Sequence, residues 1–194
     1  MSRLGKKPIT IPEKVKVELK NDVIEVSGAN GKLSQAIPEH LSVKVDKGSV
    51  LVEMKDDSRQ ANMYQGLLRG LICNMITGVL EGYKKELELN GLGFKAVLSG
   101  KNLTLTVGYS HTVTKIVPDG IKVVVGMTQD KIPTLTITGM DKQAVGAFAA
   151  QVRAVKPPEP YQGFGIRYAG EKILRKAGKA ASAGAKKSTV KIFL

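Results

Sequence analysis

The sequence has few or none of several residue types, and each scarcity limits what the protein can be. It has no tryptophan and a single cysteine, Cys73, so no disulfide can form within the chain. No apolar run approaches the roughly 18 residues needed to cross a bilayer, and the basic residues 1–10 lack the apolar stretch of a secretion signal. These gaps predict a reduced, cytoplasmic protein without a membrane span or an export signal.

Groups that could carry catalysis are also scarce. His40 and His111 lie beside turns and near no cysteine or acidic cluster, which favours surface positions, and Cys73 lies among apolar helix residues. The Gly-x-Gly pairs at 91–93 and 163–165 lack the third glycine of a dinucleotide fingerprint, and the chain has no Gly-Lys-Ser/Thr phosphate loop. The sequence therefore predicts no enzyme activity, no cofactor, no metal and no small-molecule substrate.

Acidic residues are outnumbered, and the imbalance is local. Thirty lysines and arginines face seventeen acids, which gives a net charge of +13. Residues 142–194 hold eleven of the basic residues and only two acids, Glu159 and Glu171, so this stretch accounts for +9 of the total. Such clustering favours a polyanionic partner over a protein that is merely basic.

The sequence contains an internal repeat. Residues 37–45 match residues 117–125 at a shift of 80, with coinciding prolines and apolar positions. Downstream the shift becomes 83, so that residues 59–61 match residues 142–144, as if three residues were inserted in the second copy. An ordered series of matches at a nearly constant shift indicates a duplicated architecture.

Each copy has the pattern of strands followed by a helix. Alternating apolar residues predict the following strands: Val15–Leu19, Val23–Val26, Leu41–Val45, Ala96–Leu98, Leu103–Val107, Ile121–Val125 and Leu135–Thr138. An apolar stripe from Tyr64 to Leu80, centred on Leu71, predicts a core-facing helix capped by Asp57 or Ser58. A second helix follows Asp141 and must end before the prolines at 157 and 158.

These patterns predict an α+β fold of two similar duplicated domains, each a small, mostly antiparallel sheet packed against one helix. We expect a first repeat at residues 1–82, a second repeat carrying the binding loop at residues 83–178, and a basic C-terminal tail at residues 179–194.

The strongest functional signal is the segment 156–179. Prolines stiffen its start, its glycines allow backbone amides to approach phosphates, its aromatic rings can stack on bases, and its cations can neutralise phosphates. The expected RNA-binding residues are Lys156, Tyr161, Gln162, Gly163, Phe164, Gly165, Arg167, Tyr168, Lys172, Arg175, Lys176 and Lys179. For the aromatic rings alone, an inward-facing structural role is an equal alternative.

This segment resembles the C-terminal signature of the family of the sixth protein of the large ribosomal subunit, bacterial type. The start, residues 1–12, resembles that family's start, and the length and duplicated layout agree, so the resemblance covers essentially the whole chain. The family pattern usually has lysines where this chain has Gln162 and Phe164, and the tail 180–194 is longer and more apolar at its end.

The resemblance implies a structural, non-catalytic protein that binds large-subunit ribosomal RNA chiefly through its C-terminal domain. It implies a position near the sarcin-ricin loop and the stalk base, beside other large-subunit proteins and the docking site of translational GTPases. A DNA-binding protein or a protein that binds a membrane surface would also carry such a positive charge. The chain has no recognition-helix motif, however, and its cations lie in a Gly/Pro/aromatic loop rather than on an amphipathic helix.

Overall fold

A computed structural model describes residue 5 and residues 7–46, 48–128 and 132–178. The predicted tail 179–194, including Lys179, lies outside the described residues. Two helices are present in the described ranges, α1 (Arg59–Leu80) and α2 (Lys142–Val155). The strands are β1 (Ile9–Thr10), β2 (Lys16–Lys20), β3 (Val23–Gly28), β4 (Gly31–Ala36), β5 (Leu41–Asp46), β6 (Ser49–Met54), β7 (Tyr83–Asn90), β8 (Lys95–Ser99), β9 (Asn102–Thr106), β10 (Val113–Ile116), β11 (Ile121–Met127), β12 (Pro133–Gly139) and β13 (Gly165–Tyr168).

The chain divides into two compact units. The described residues of the first unit lie within 5–84, 118–122 and 138–147, and those of the second lie within 85–117, 123–137 and 148–178. The domain boundaries expected from the repeat, after residues 82 and 178, stay predictions.

The first unit contains two small antiparallel sheets and helix α1. Strands β2, β3 and β4 form a meander, while β5 and β1 flank β6 in a second sheet. Helix α1 contacts strands of both sheets. The buried core that they share consists of Ile9, Val15, Ile24, Val26, Leu41, Val43, Val50, Val52, Leu68, Ile72, Met75, Ile76 and Val79.

Helix α1 begins where the sequence predicts but buries a narrower face than expected. The Ser58 hydroxyl accepts a hydrogen bond from the Ala61 N–H at 3.1 Å, which makes Ser58 the N-cap. The expectation that the whole stripe from Tyr64 faces the core is wrong, because Leu67 is 56% exposed and Leu71 is only half-buried. Ile72, fully buried, lies at the centre of the packed face instead.

The second unit contains the β8–β9–β10 meander and most of a four-stranded sheet in the order β11–β12–β7–β13. Its buried apolar residues are Leu87, Leu89, Phe94, Leu103, Leu105, Val107, Val117, Val123, Leu135, Ile137, Phe148, Ala149, Val152 and Ile166.

Helix α2 begins and ends where the sequence predicts. The Asp141 carboxylate accepts a hydrogen bond from the Gln143 N–H at 2.8 Å at the start of α2, and the helix ends two residues before Pro157.

The duplication predicted from the sequence is confirmed in the order of the elements. Strands β5 and β6 of the first copy correspond to β11 and β12 of the second. Two residues separate β5 from β6, and five separate β11 from β12. The three-residue insertion inferred from the change of shift therefore falls in this hairpin loop.

The two copies differ at one edge. Among the described residues, the sheet β1–β6–β5 has three strands, whereas its counterpart carries a fourth strand, β13, hydrogen-bonded to β7. The added strand comes from the segment that the sequence marks as functional.

Candidate nucleic-acid interface

The centre of the basic segment, defined here as residues 156–178, is a strand and not the loop that its glycines and prolines predict. Gly165 pairs with Asn90, and Tyr168 pairs with Leu87, so β13 extends the sheet edge at β7. Ile166, in the middle of the strand, is completely buried. The backbone of the segment is therefore fixed by a partner strand more than 70 residues earlier in the chain.

Two glycines of this segment, Gly163 and Gly165, have conformational and packing reasons to be glycine. Gly165 has φ of +144°, and a Cβ on it would lie 2.6 Å from the Pro158 Cα. Gly163 has φ of +76°, and its N–H donates to the Glu159 carbonyl at 3.0 Å. Both glycines are buried. They shape the loop that starts with the prolines. A direct contact of their amides with phosphates stays a prediction.

Arg167 is engaged within the protein. Its Nε and Nη2 atoms lie 2.8 and 2.7 Å from the Glu88 Oε2 atom on β7, and both side chains are about one-quarter exposed. A guanidinium has five N–H donors, so this pairing still leaves Arg167 able to meet a phosphate. The ion pair also ties β13 to β7, because Arg167 and Glu88 lie opposite each other on these two strands.

Tyr168 is half-buried, and two cations lie close to its ring. The Arg153 guanidinium carbon lies 5.7 Å from its ring centroid, and the Lys85 amine lies 5.9 Å from it. Cations on an aromatic ring hold it by electrostatic attraction to the ring quadrupole. This arrangement favours the bracing role for Tyr168 that the sequence left open beside base stacking.

Glu171 joins the strand to the helix of the same unit. Its carboxylate accepts two hydrogen bonds from Arg153, at 3.2 and 2.6 Å, and a third from the Tyr168 N–H at 3.0 Å. The hydrogen bond from Arg153, followed by the one from the backbone, holds the pKa of the Glu171 carboxyl below its ordinary value of 4.5. Glu171 therefore stays ionised and keeps the chain after β13 close to α2.

The remaining predicted residues form an exposed surface around this anchored backbone. Lys176 donates its N–H to the Pro160 carbonyl at 2.8 Å, which ties the end of the basic segment to its start. The Arg175 guanidinium lies beside Gly163, and Tyr161 is 55% exposed. The exposed members of the predicted set are Tyr161, Gln162, Lys172, Arg175 and Lys176, while Lys156 and Phe164 are half-buried.

Sequence reasoning missed the residues that hold this surface in place. Glu88, Arg153 and Lys85 come from outside the basic segment, and Glu171 is one of only two acids in the basic region 142–194. The scarcity of acids among so many cations was a usable signal for Glu171. The pairing of Glu88 with Arg167 spans 79 positions, and nothing in the local pattern indicates it.

No group of three His, Cys, Asp or Glu side chains in the described ranges could hold a metal ion. No helix in those ranges is long and apolar enough to span a membrane. His40 lies at the surface, as its position beside a turn predicts, and its Nδ1 atom is 3.3 Å from the Asp56 carboxylate. Cys73 is half-buried against the core of the first unit.

Comparison with known proteins supports the resemblance found in the sequence. The family model of ribosomal protein L6 matches residues 11–82 and residues 90–169, one match in each copy of the repeat. The "Large ribosomal subunit protein uL6" of Syntrophus aciditrophicus is 47% identical over 183 residues, which cover 94% of this chain and all of the relative.

Two further relatives carry the same name. The protein of Gloeothece citriformis is 49% identical over 179 residues, covering 92% of this chain and 98% of the relative. That of Anaeromyxobacter sp. is 48% identical over 183 residues, covering 94% and 100%. The chain therefore belongs to the ribosomal protein L6 family, a family of structural, non-enzymatic proteins of the large ribosomal subunit.

Proposed function

We propose that this ribosomal protein binds large-subunit ribosomal RNA mainly through the basic segment, near the sarcin-ricin loop and the stalk base, where translational GTPases dock. The location follows from the family resemblance. Its partners are then the RNA and neighbouring large-subunit proteins, with the GTPases close by.

One observation carries the binding proposal: exposed cations and an exposed aromatic ring project from a backbone that is already fixed. Strand β13, the Arg153–Glu171 pair and the Lys176–Pro160 hydrogen bond hold this backbone before RNA arrives. Side chains that are positioned in advance lose less conformational entropy on binding, so more of the contact energy appears as affinity.

The proposed roles differ along the segment. Lys172, Arg175 and Lys176 contact phosphates, joined by Lys179 beyond the described residues and by the N–H groups of Arg167 that do not bind Glu88. Tyr161, with more than half of its surface exposed, stacks on a base. The remaining members of the predicted set, Lys156, Gln162, Gly163, Phe164, Gly165 and Tyr168, shape or border this surface.

A salt titration of binding to large-subunit rRNA tests these roles. We expect Lys176→Ala and Arg175→Ala each to reduce the slope of log affinity against log salt by roughly 0.7–0.9. Binding releases fewer counterions from the RNA when one phosphate contact is lost. Tyr161→Ala should weaken binding about 5- to 150-fold with the slope nearly unchanged. Lys16→Ala, an exposed lysine of β2 in the first unit, is the matched control.

Equal slopes for the wild type and the two cation variants would overturn the assignment of Lys176 and Arg175 to phosphate contacts. Unchanged affinity of Tyr161→Ala would show that the Tyr161 ring does not stack on a base. Chemical protection of the rRNA by the wild-type protein tests the location separately. Protections confined to regions away from the sarcin-ricin loop and stalk base would contradict the location while leaving rRNA binding intact.

A further inference from the structure

The loop between β9 and β10, residues 107–112, carries a pair of exposed rings that the basic segment does not include. The rings of Tyr109 and His111 lie parallel within 8°, with centroids 5.7 Å apart. Tyr109 is 40% exposed and His111 is exposed. The loop is anchored next to them by Val107, which is completely buried.

This ring pair is held against the start of the basic segment. The Tyr109 hydroxyl donates a hydrogen bond to the Val155 carbonyl at 2.9 Å, and the Lys156 amine lies 4.5 Å from the Tyr109 ring centroid. Tyr109 therefore ties the loop to residues 155 and 156. Lys156, predicted from the sequence to bind RNA, is placed over an aromatic ring.

The charge of the sequence around the ring pair favours the binding of an anionic partner. From Phe94 to Val117, which includes the whole β8–β9–β10 meander and this loop, the sequence has no Asp or Glu and has three lysines, Lys95, Lys101 and Lys115. An exposed pair of parallel rings with the Lys156 amine 4.5 Å from one of them and no acid on its own element suits a planar group carried on a phosphate backbone. A protein partner would not require this combination of flat rings and positive charge.

We propose that Tyr109 and His111 form a second RNA contact, which stacks on an unpaired base of the large-subunit rRNA while Lys156 approaches the adjoining phosphate. This inference rests on the proposed function, and it adds an element that the C-terminal sequence signal does not contain. Unpaired bases are the parts of RNA whose faces are free to stack on protein rings.

Filter binding of the full-length protein to large-subunit rRNA tests the contact. His111→Ala and Tyr109→Ala should each weaken binding by about 5- to 150-fold, with the slope against salt nearly unchanged, because a lost stack releases no counterion. Tyr109→Phe removes only the hydroxyl and keeps the ring, so its loss should be smaller than that of Tyr109→Ala. If Tyr109→Ala unfolds, exposed His111 still provides the test.

The first unit offers matched controls for both rings. Tyr64 is 39% exposed, close to the 40% of Tyr109, and His40 is the other histidine of the chain. Tyr64→Ala and His40→Ala should bind like the wild type. In chemical probing, His111→Ala should expose one or two nucleotides that remain protected with Lys176→Ala.

The outcomes separate this contact from the main site. Wild-type affinity of both His111→Ala and Tyr109→Ala, while Lys176→Ala binds weakly, overturns the ring contact and leaves the proposed function standing. A reduced salt slope for His111→Ala overturns the stacking role, because it would mean a contact through charge. If the wild-type protein fails to bind large-subunit rRNA, the proposed function fails and the ring contact fails with it.

Discussion

Arg153 and Glu171 form a two-pronged ion pair, with N–O distances of 3.2 and 2.6 Å, that joins the end of α2 to the chain after β13. Both side chains are about 30% exposed. The pair also places the Arg153 guanidinium against the Tyr168 ring. A single contact thus holds together the helix, the added strand and the exposed cations that follow it.

Breaking this pair should lower both stability and RNA affinity. Arg153→Ala should reduce the free energy of unfolding by about 1–2 kcal/mol, because it leaves a partly buried carboxylate without its cation. Denaturant unfolding measures the change. Lys44→Ala removes an ion pair of similar length with Glu53, but Lys44 is 62% exposed, so its effect should be much smaller than that of Arg153→Ala. Equal effects of the two variants would show that Arg153–Glu171 behaves as an ordinary surface pair.

The lowered pKa of Glu171 predicts a specific pH dependence. Because the folded pKa lies below the ordinary value of 4.5, the ionised form is favoured in the folded protein. The resulting stability is fully present above pH 4.5 and is lost as the pH falls through the folded pKa.

Thermal unfolding of the wild type and Glu171→Gln, compared between about pH 7 and pH 3, tests this dependence. The wild type should have the higher Tm at neutral pH, and the difference should shrink in acid. A difference that stays constant across the series would contradict the assignment to the Glu171 charge.

The packed face of α1 predicts a contrast between a buried and an exposed position of the helix. Ile72→Ala should cost about 2–5 kcal/mol through lost burial and the cavity left behind, since Ile72 is fully buried. Leu67→Ala, at a position that is 56% exposed, should change stability by no more than about 0.5 kcal/mol. Leu71→Ala should fall between them. Similar losses for Ile72 and Leu67 would mean that α1 buries a different face.

The close approach at Gly165 predicts that this glycine cannot be replaced cheaply. Gly165→Ala should cost at least about 2 kcal/mol, because its φ of +144° disfavours a side chain and its Cβ would collide with Pro158. Gly146→Ala is the matched control within α2, where a Cβ meets open space, and it should raise stability by about 0.5–1 kcal/mol. Thermal unfolding distinguishes the two signs.

Several features of the fold were predictable because they depend on short stretches of chain. Alternating apolar residues predicted β2, β3, β5, β8, β9, β11 and β12 within a few residues, and Ser58 was correctly predicted as a possible cap. Strands β1, β4, β6, β7, β10 and β13 were missed. Strand β13 in particular contains glycine and follows prolines, so only its hydrogen bonds to β7 make it a strand.

By itself, the sequence determined the duplication, the α+β class, the three-residue insertion and the concentration of cations after residue 142, because these properties depend on residue type and spacing. Tertiary structure alone decided which cations are exposed and which are paired. Glu88 reaches Arg167 across 79 positions, and Glu171 reaches Arg153 across 18, so neither pair follows from local periodicity. The same holds for Gly165, whose need to be glycine arises from the Pro158 backbone packed against it.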